Sequence, residues 1–188
     1  KYPLLIAQDL EWGLGMRIQD AMSFPKNISL GAIENNKLIY KLGKEIGRQA
    51  KLIGVHMNLS PVLDVNMEPE NLCIKERSFG SDPKNVAEKG IMMIRGLQDA
   101  GIIASAKHFP GLGDITLDPH VDLPFSYHDK KRLQVVEWLP FSQAIEEGVL
   151  SIQTEHLMLP AIDADHPASL SPKLVQGVLK NELGFKGL

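Results

Sequence analysis

The chain has 188 residues, 44% apolar and 23% charged, enough for one globular unit with a sizeable core. Its net charge is -3, and its 20 basic residues are interspersed among 23 acidic ones, so nothing marks a nucleic-acid surface. The single cysteine, Cys73, excludes an internal disulfide, and no apolar run reaches the length of a membrane span.

In chain order, short apolar runs alternate with helical patterns. Residues 2–7 are strand-like and end at Gln8-Asp9. Residues 36–54 read as a helix, with Leu38, Ile39, Leu42, Ile46 and Ala50 at spacings of three and four. Residues 56–64 form a second strand and its exit. A helix follows over 83–100, with Asp82 as N-cap, Pro83 at its first position and Gly101 as its stop. Residues 102–106 are a third strand. The pattern over 129–148 is helical, and Pro140 should kink or divide it. A fourth strand spans 149–153. A last helix spans 171–183, with Ser171 as cap and Pro172 leading, before a turn and the first residue of a new strand at Leu188. The chain starts without Met and stops on that strand residue, so both ends read as cut, and a missing targeting signal says little. Compartment and oligomeric state stay open.

Strand–helix repetition with continuously apolar strands implies an α/β fold with a parallel sheet covered by helices. Polar residues gather after each strand: Asp9 and Glu11, Asp64, Lys107 and His108, then Glu155 and His156. A (β/α) barrel places its site at those strand ends. A doubly wound sheet would use its switch point, but its Gly-rich turn is missing; Gly13-Leu14-Gly15 lacks the third glycine.

The segment 107–120 is the densest in chemistry. Lys107 and His108 leave an apolar run and enter a Gly/Pro/Asp loop that ends in Asp118 and His120. A carboxylate two positions from an imidazole can orient it and raise its basicity for proton transfer. The bland alternative is a solvated surface pair. Lys107 suits ligand hydroxyls or a structural salt bridge, and Asp9 a ligand or a turn cap. Arg77 offers a fork of donors to sugar hydroxyls or carboxylates, or else binds loop carbonyls. Trp12 could stack on a sugar ring or pack at a barrel rim. No metal ligand set emerges from spacing. The histidines at 108, 120, 128, 156 and 166 lack the i, i+4 helical pairing of a zinc hydrolase, and Cys73 has no partner base nearby in sequence.

These residues give the chain a resemblance to glycoside hydrolase family 3, in its β-N-acetylglucosaminidase (β-hexosaminidase) branch. The branch pattern K-H-F-P-G-H-G-D-T followed by D-S-H stands here as Lys107-His108-Phe109-Pro110-Gly111-Leu112-Gly113-Asp114-Ile115, then Asp118-Pro119-His120. Supporting stretches run over 5–11, 58–66 and 77–83, in the family's order. The resemblance implies a (β/α)₈ TIM-type barrel, present as a single fragment over 1–188 that lacks the first strand and the C-terminal strands. It implies retaining hydrolysis of β-linked GlcNAc, in an oligosaccharide or a muropeptide, without a cofactor. His120 would be the acid/base, Asp118 its orienting partner, and Asp9, Arg17, Arg77, Lys107 and His108 the sugar-holding residues. The family's nucleophile pattern G-F-x-G-L-[VI]-x-[ST]-D begins at Gly184, which puts the Asp beyond Leu188. Leu112, Ile115 and Pro119 replace His, Thr and Ser, and Pro119 restricts the backbone between the dyad partners. A β-glucosidase-like member and a non-catalytic sugar binder on a decayed barrel are the rival readings.

Overall fold

In the computed structural model, which describes residues 3–188, four parallel strands lie side by side in chain order. They are β1 (Ala7–Gln8), β2 (Met57–Asn58), β3 (Ile103–Phe109) and β4 (Ser151–Thr154). Ala7 pairs with Met57, Met57 with Ile103, and Ser105 with Ser151. Six helices connect and cover them: α1 (Asn27–Gly31), α2 (Asn36–Leu52), α3 (Pro83–Asp99), α4 (Lys130–Val135), α5 (Leu139–Glu146) and a π-helix, Lys173–Glu182. Each strand lies beside its predecessor in the same direction, as in a barrel wall, and the strand C-termini all meet at one end.

Helices α2 and α3 begin at side-chain caps. Asn35 Oδ1 accepts the Lys37 N–H at 3.2 Å, and Asp82 Oδ1 accepts the Lys84 N–H at 3.0 Å. Ile39, Ile46 and Ala50 of α2 and Met93, Ile94 and Leu97 of α3 are buried in one core cluster with Ala104 and Ala106 of β3. Leu38, although in phase with that stripe, is exposed. The two helices touch through glycines. A Cβ at Gly96 would lie 2.3 Å from the Tyr40 carbonyl, and one at Gly43 would lie 2.6 Å from that of Met93.

Pro140 divides the 129–148 helix as expected, and it sits in the first turn of α5, where its missing N–H is no loss. Strand β3 runs three residues beyond the expected apolar stretch, because its buried Lys107 and His108 find charged partners. The expected strands over 2–7 and 56–64 are regular only at Ala7–Gln8 and Met57–Asn58, and Tyr2 lies outside the described residues. The 56–64 segment stays extended, and Val62 bridges to Lys107. Helix α1, at five residues, is too short to show a period.

At the far edge, the Leu188 N–H donates to the Leu150 carbonyl at 3.1 Å, and the Ile152 N–H donates to the Leu188 carbonyl at 3.0 Å. Leu188 therefore stands opposite Ser151 in a parallel sense. Among the described residues, no helix is long and apolar enough to cross a membrane.

Candidate active site

A cleft of about 300 Å³ opens at the C-terminal ends of the strands. Asp9 follows β1, Lys107 and His108 end β3, and Arg77 comes from the turn before α3. All four line the cleft with Arg17 and His120, so the fold unites the sequence-predicted residues. Glu11 and Glu155, expected at the strand ends but given no role there, also line it, as do Cys73 and Gln153, which were not expected there.

The floor is a ladder of alternating charge. Arg17 contacts Asp9 at 2.6 Å, and Asp9 accepts from Lys107 Nζ at 2.8 Å. Lys107 Nζ also reaches Glu11 Oε1 at 2.9 Å. Arg77 holds Glu11 with two nitrogens, Nη2 at 2.7 Å and Nε at 3.0 Å. Lys107 and Glu11 are almost wholly buried, at 3% and 1% side-chain exposure, so each charge depends on the other. Burial opposes ionisation of Glu11, but the Arg77 hydrogen bonds and the Lys107 charge outweigh it and hold the carboxyl below its ordinary range. Asp9 is likewise held low: burial is outweighed by Lys107 and then Arg17. Burial also works against the Arg77 charge, and Glu11 more than restores it.

The ladder fixes a tautomer. Arg77 Nη2 lies 3.3 Å from His108 Nε2, and a guanidinium only donates, so Nε2 accepts. The His108 proton is then on Nδ1, which donates to Asp64 Oδ2 at 2.6 Å. Asp64 is fully buried, and its other oxygen accepts the Leu112 N–H at 2.7 Å. Lys107 keeps one N–H free of the ladder, and buried Gln153 Oε1 has no hydrogen-bond partner among the described residues. Both are available to a polar ligand.

Asp118 and His120 sit above this floor on an exposed turn. Asp118 Oδ1 accepts from His120 Nδ1 at 2.7 Å and from the His120 backbone N–H at 2.9 Å. Those two bonds, backbone first, hold the Asp118 carboxyl below its ordinary range. The His120 ring is 80% exposed and lines the cleft, with Nε2 opposite the bonded nitrogen. Pro119 is compatible with the Asp118–His120 bond. Leu112 is buried in the core beside the loop and serves packing. Asn71 fastens this loop to the one before Arg77: its Nδ2 donates to the Leu112 carbonyl at 2.6 Å, while its Oδ1 accepts the Cys73 and Ile74 N–H groups.

Other candidates lie elsewhere. Trp12 is outside the cleft, and its ring is capped by Lys26 Nζ 3.2 Å from the centroid. Asp114 joins His128 at 2.6 Å and Arg132 at 3.1 Å, and Arg132 reaches buried Glu137. A larger cleft, about 540 Å³, runs along α2 between Lys41, Lys44, Arg48 and Lys51; it holds none of the predicted residues.

Residues 1–188 match the glycosyl hydrolase family 3 N terminal domain. The chain belongs to glycoside hydrolase family 3. A β-hexosaminidase of Nitrosomonas eutropha is 37% identical over 192 residues, covering 98% of this chain and 55% of that protein. A β-N-acetylglucosaminidase/β-glucosidase of Cellulomonas fimi is 31% identical over 201 residues, covering 99% of this chain and 35% of that protein. The structure of a family 3 β-N-acetylglucosaminidase from a Paenibacillus species superposes with a TM-score of 0.93 at 38% identity, over all of this chain and 36% of that one. The chain spans about a third to just over half the length of the curated relatives it matches. The parallel sheet and its helices are thus part of a family 3 TIM-type barrel.

Proposed function

We propose that the protein carrying this chain is a retaining glycoside hydrolase that removes β-linked N-acetylglucosamine from non-reducing ends. The observation that carries this reading is the Asp118–His120 pair at the rim of a cleft whose floor is a satisfied ladder of buried charges. In the first step a carboxylate bonds to the anomeric carbon, the glycosidic C–O bond breaks, and protonated His120 Nε2 gives its proton to the leaving oxygen. In the second, His120 takes a proton from water as that water displaces the carboxylate. Asp118 keeps the Nδ1 proton in place through both steps. Asp9, Lys107, Arg77, Arg17 and His108 bind the sugar hydroxyls from below.

The nucleophile in this proposal is an Asp four residues after Leu188, as the family pattern has it. Geometry supports the placement. Leu188 stands opposite Ser151, so a strand continuing in register brings its fourth further residue level with Glu155, which lines the cleft. The domain reading follows: residues 1–188 are one fragment of a barrel that further strands close. The substrate class is a β-GlcNAc oligosaccharide, with muropeptides as one source and peptidoglycan turnover as the setting.

The test is an assay of the full protein on aryl β-GlcNAc and aryl β-glucoside side by side. Preference for the GlcNAc substrate supports the reading, and His120→Ala should then lose turnover of a β-GlcNAc disaccharide, whose poor leaving group needs the proton. Equal or greater turnover of the glucoside favours a β-glucosidase-like enzyme. Sugar binding without turnover of either favours a non-catalytic binder.

A further inference from the structure

The cleft uses none of the cations on the outer face of α2. Lys37, Lys41, Lys44, Arg48 and Lys51 recur at steps of four and three residues, and all five are exposed. At about 3.6 residues per turn they fall within an arc of about 80° and form a stripe about 21 Å long. Ile39, Ile46 and Ala50 face the opposite way, into the core. Gly43 and Gly47 meet α3 on one flank. The other flank carries exposed Leu38, so a further barrel helix packed there leaves the stripe facing outward. We propose that this stripe is a docking surface for a linear anionic polysaccharide, laid along the helix and held by its charge.

Charge is concentrated here although the chain as a whole carries -3. Among the described residues, Arg48 alone of the five forms an ion pair, with Glu45 at 2.7 Å. Four ammonium groups therefore stand without a carboxylate, and like charges at these helical steps repel one another. A row of anions relieves that repulsion. A shallow groove of about 540 Å³ runs between Lys41, Lys44, Arg48 and Lys51, and Ala100 also lines it. The cations follow one another at about 4.5–6 Å along the axis. That is close to the length of one pyranose unit, so a glycan with one carboxylate per sugar sets an anion at each step.

The flanks favour a single chain over a flat anionic membrane. Glu45 borders one side of the stripe, and Asp99, which accepts from the Tyr40 hydroxyl at 2.8 Å, borders the other. A planar surface presses on both carboxylates, whereas a chain in the groove lies between them. A single-stranded nucleic acid needs aromatic faces for its bases. Tyr40 is the aromatic residue of α2, and its hydroxyl is tied to Asp99 while Lys44 Nζ lies 5.9 Å from its ring centroid. Composition hides the surface, because the residues that separate the cations along the chain lie on other sides of the helix.

Docking does not depend on the glycosidase reading and is measured as binding alone. The full protein is titrated into labelled polygalacturonate at low ionic strength, with a chitooligosaccharide as the neutral comparison. We expect saturable binding to polygalacturonate that fades with added salt, which screens exposed charges beyond about 8 Å at physiological strength. The triple variant Lys41→Gln/Lys44→Gln/Lys51→Gln should bind on the order of 100-fold more weakly, about 5-fold per lysine. Its arginine counterpart, Lys41→Arg/Lys44→Arg/Lys51→Arg, should bind as the parent does. Lys84→Gln/Lys180→Gln/Lys186→Gln makes the same change in net charge at exposed positions away from α2, and should also bind as the parent does. No binding of polygalacturonate, or an equal loss in both glutamine variants, overturns the surface. Binding to single-stranded DNA or to vesicles of anionic phospholipid as tight as that to polygalacturonate overturns the choice of a glycan chain.

Discussion

At the scale of the residue, the buried charge ladder and the exposed dyad make opposite demands. Glu11 is sealed between Lys107 and Arg77, so Glu11→Gln leaves two cations facing a neutral amide. The expected loss is about 3 kcal/mol, the low end for a broken buried pair, because Arg77 is 23% exposed and partly solvated. Urea unfolding at neutral pH measures it. The pH dependence has a definite sign. The folded-state pKa of Glu11 lies below the ordinary 4.5, so its stabilisation is complete above that value and lost as pH falls through the lowered one. The gap between parent and Glu11→Gln should therefore be constant above about pH 5.5 and close on acidification. A gap that widens in acid would place the strain elsewhere. The dyad is 80% exposed at His120, so its removal should cost little stability but much rate. In the full protein, His120→Ala should lower kcat by about 10²–10⁴-fold on substrates with poor leaving groups, and least on activated aryl glycosides. Asp118→Asn should lose less, since the imidazole remains. A His120→Ala enzyme with the parent's rate and pH profile on a poor leaving group would refute the acid/base assignment. The Asp118–His120 contact is legible in the sequence because the spacing of two is local. The sequence places Glu11 and Asp64 at the strand ends but does not reveal their partners, nor Gln153 at all, because those partners are distant in the chain and only the parallel register brings them together.

At the scale of the element, local signals mark helices well and strands poorly. Asp82 and Gly101 bound α3 where the cap and the stop were read, since capping needs only near neighbours, and Asn35 caps α2 in the same way. Strand β3 outruns its apolar stretch because Lys107 and His108 are paired with carboxylates that follow other strands, which periodicity cannot report. The close α2–α3 contact is also invisible to periodicity, as Gly43, Gly47 and Gly96 look like weak helix formers rather than contact points. Their function is steric. Gly96→Ala puts a methyl 2.3 Å from the Tyr40 carbonyl and 2.7 Å from the Lys44 nitrogen, both backbone atoms that cannot swing away. We expect a loss of about 2–3 kcal/mol and a Tm lower by roughly 5–10 °C. Gly177→Ala is the control: its added Cβ meets nothing within 4 Å, so it should be neutral or stabilise by about 0.4–1 kcal/mol. Equal melting of the two variants would contradict the tight helix contact.

At the scale of the whole molecule, the four strands of the described residues lie edge to edge and do not close on themselves. On one side β1 has, among the described residues, only β2 as a neighbour, and beside it Leu4 and Leu5 are exposed. On the other, Leu150 and Leu188 are exposed where Leu188 begins to pair with β4. Unpaired strand edges with apolar neighbours favour pairing with a second chain. The 188-residue chain produced by itself should therefore self-associate, read as a sedimentation coefficient that rises with concentration. A monomer with a sharp, reversible, concentration-independent transition would contradict this. The same open edge bears on chemistry. Within the chain, the cleft carboxylates Asp9 and Glu11 are tied to cations and held below their ordinary range. Glu155 also lines the cleft, and its Oε1 accepts the N–H of His156. If the nucleophile comes from the strand that Leu188 starts, the 188 residues alone have the proton donor and the sugar floor but cannot form the covalent intermediate. They should release no measurable GlcNAc from an aryl β-GlcNAc, while the full protein does, and this holds whether or not the short chain is kept monomeric by dilution. Release by the short chain that disappears in both His120→Ala and Glu155→Gln would move the nucleophile to β4 and overturn its placement after Leu188.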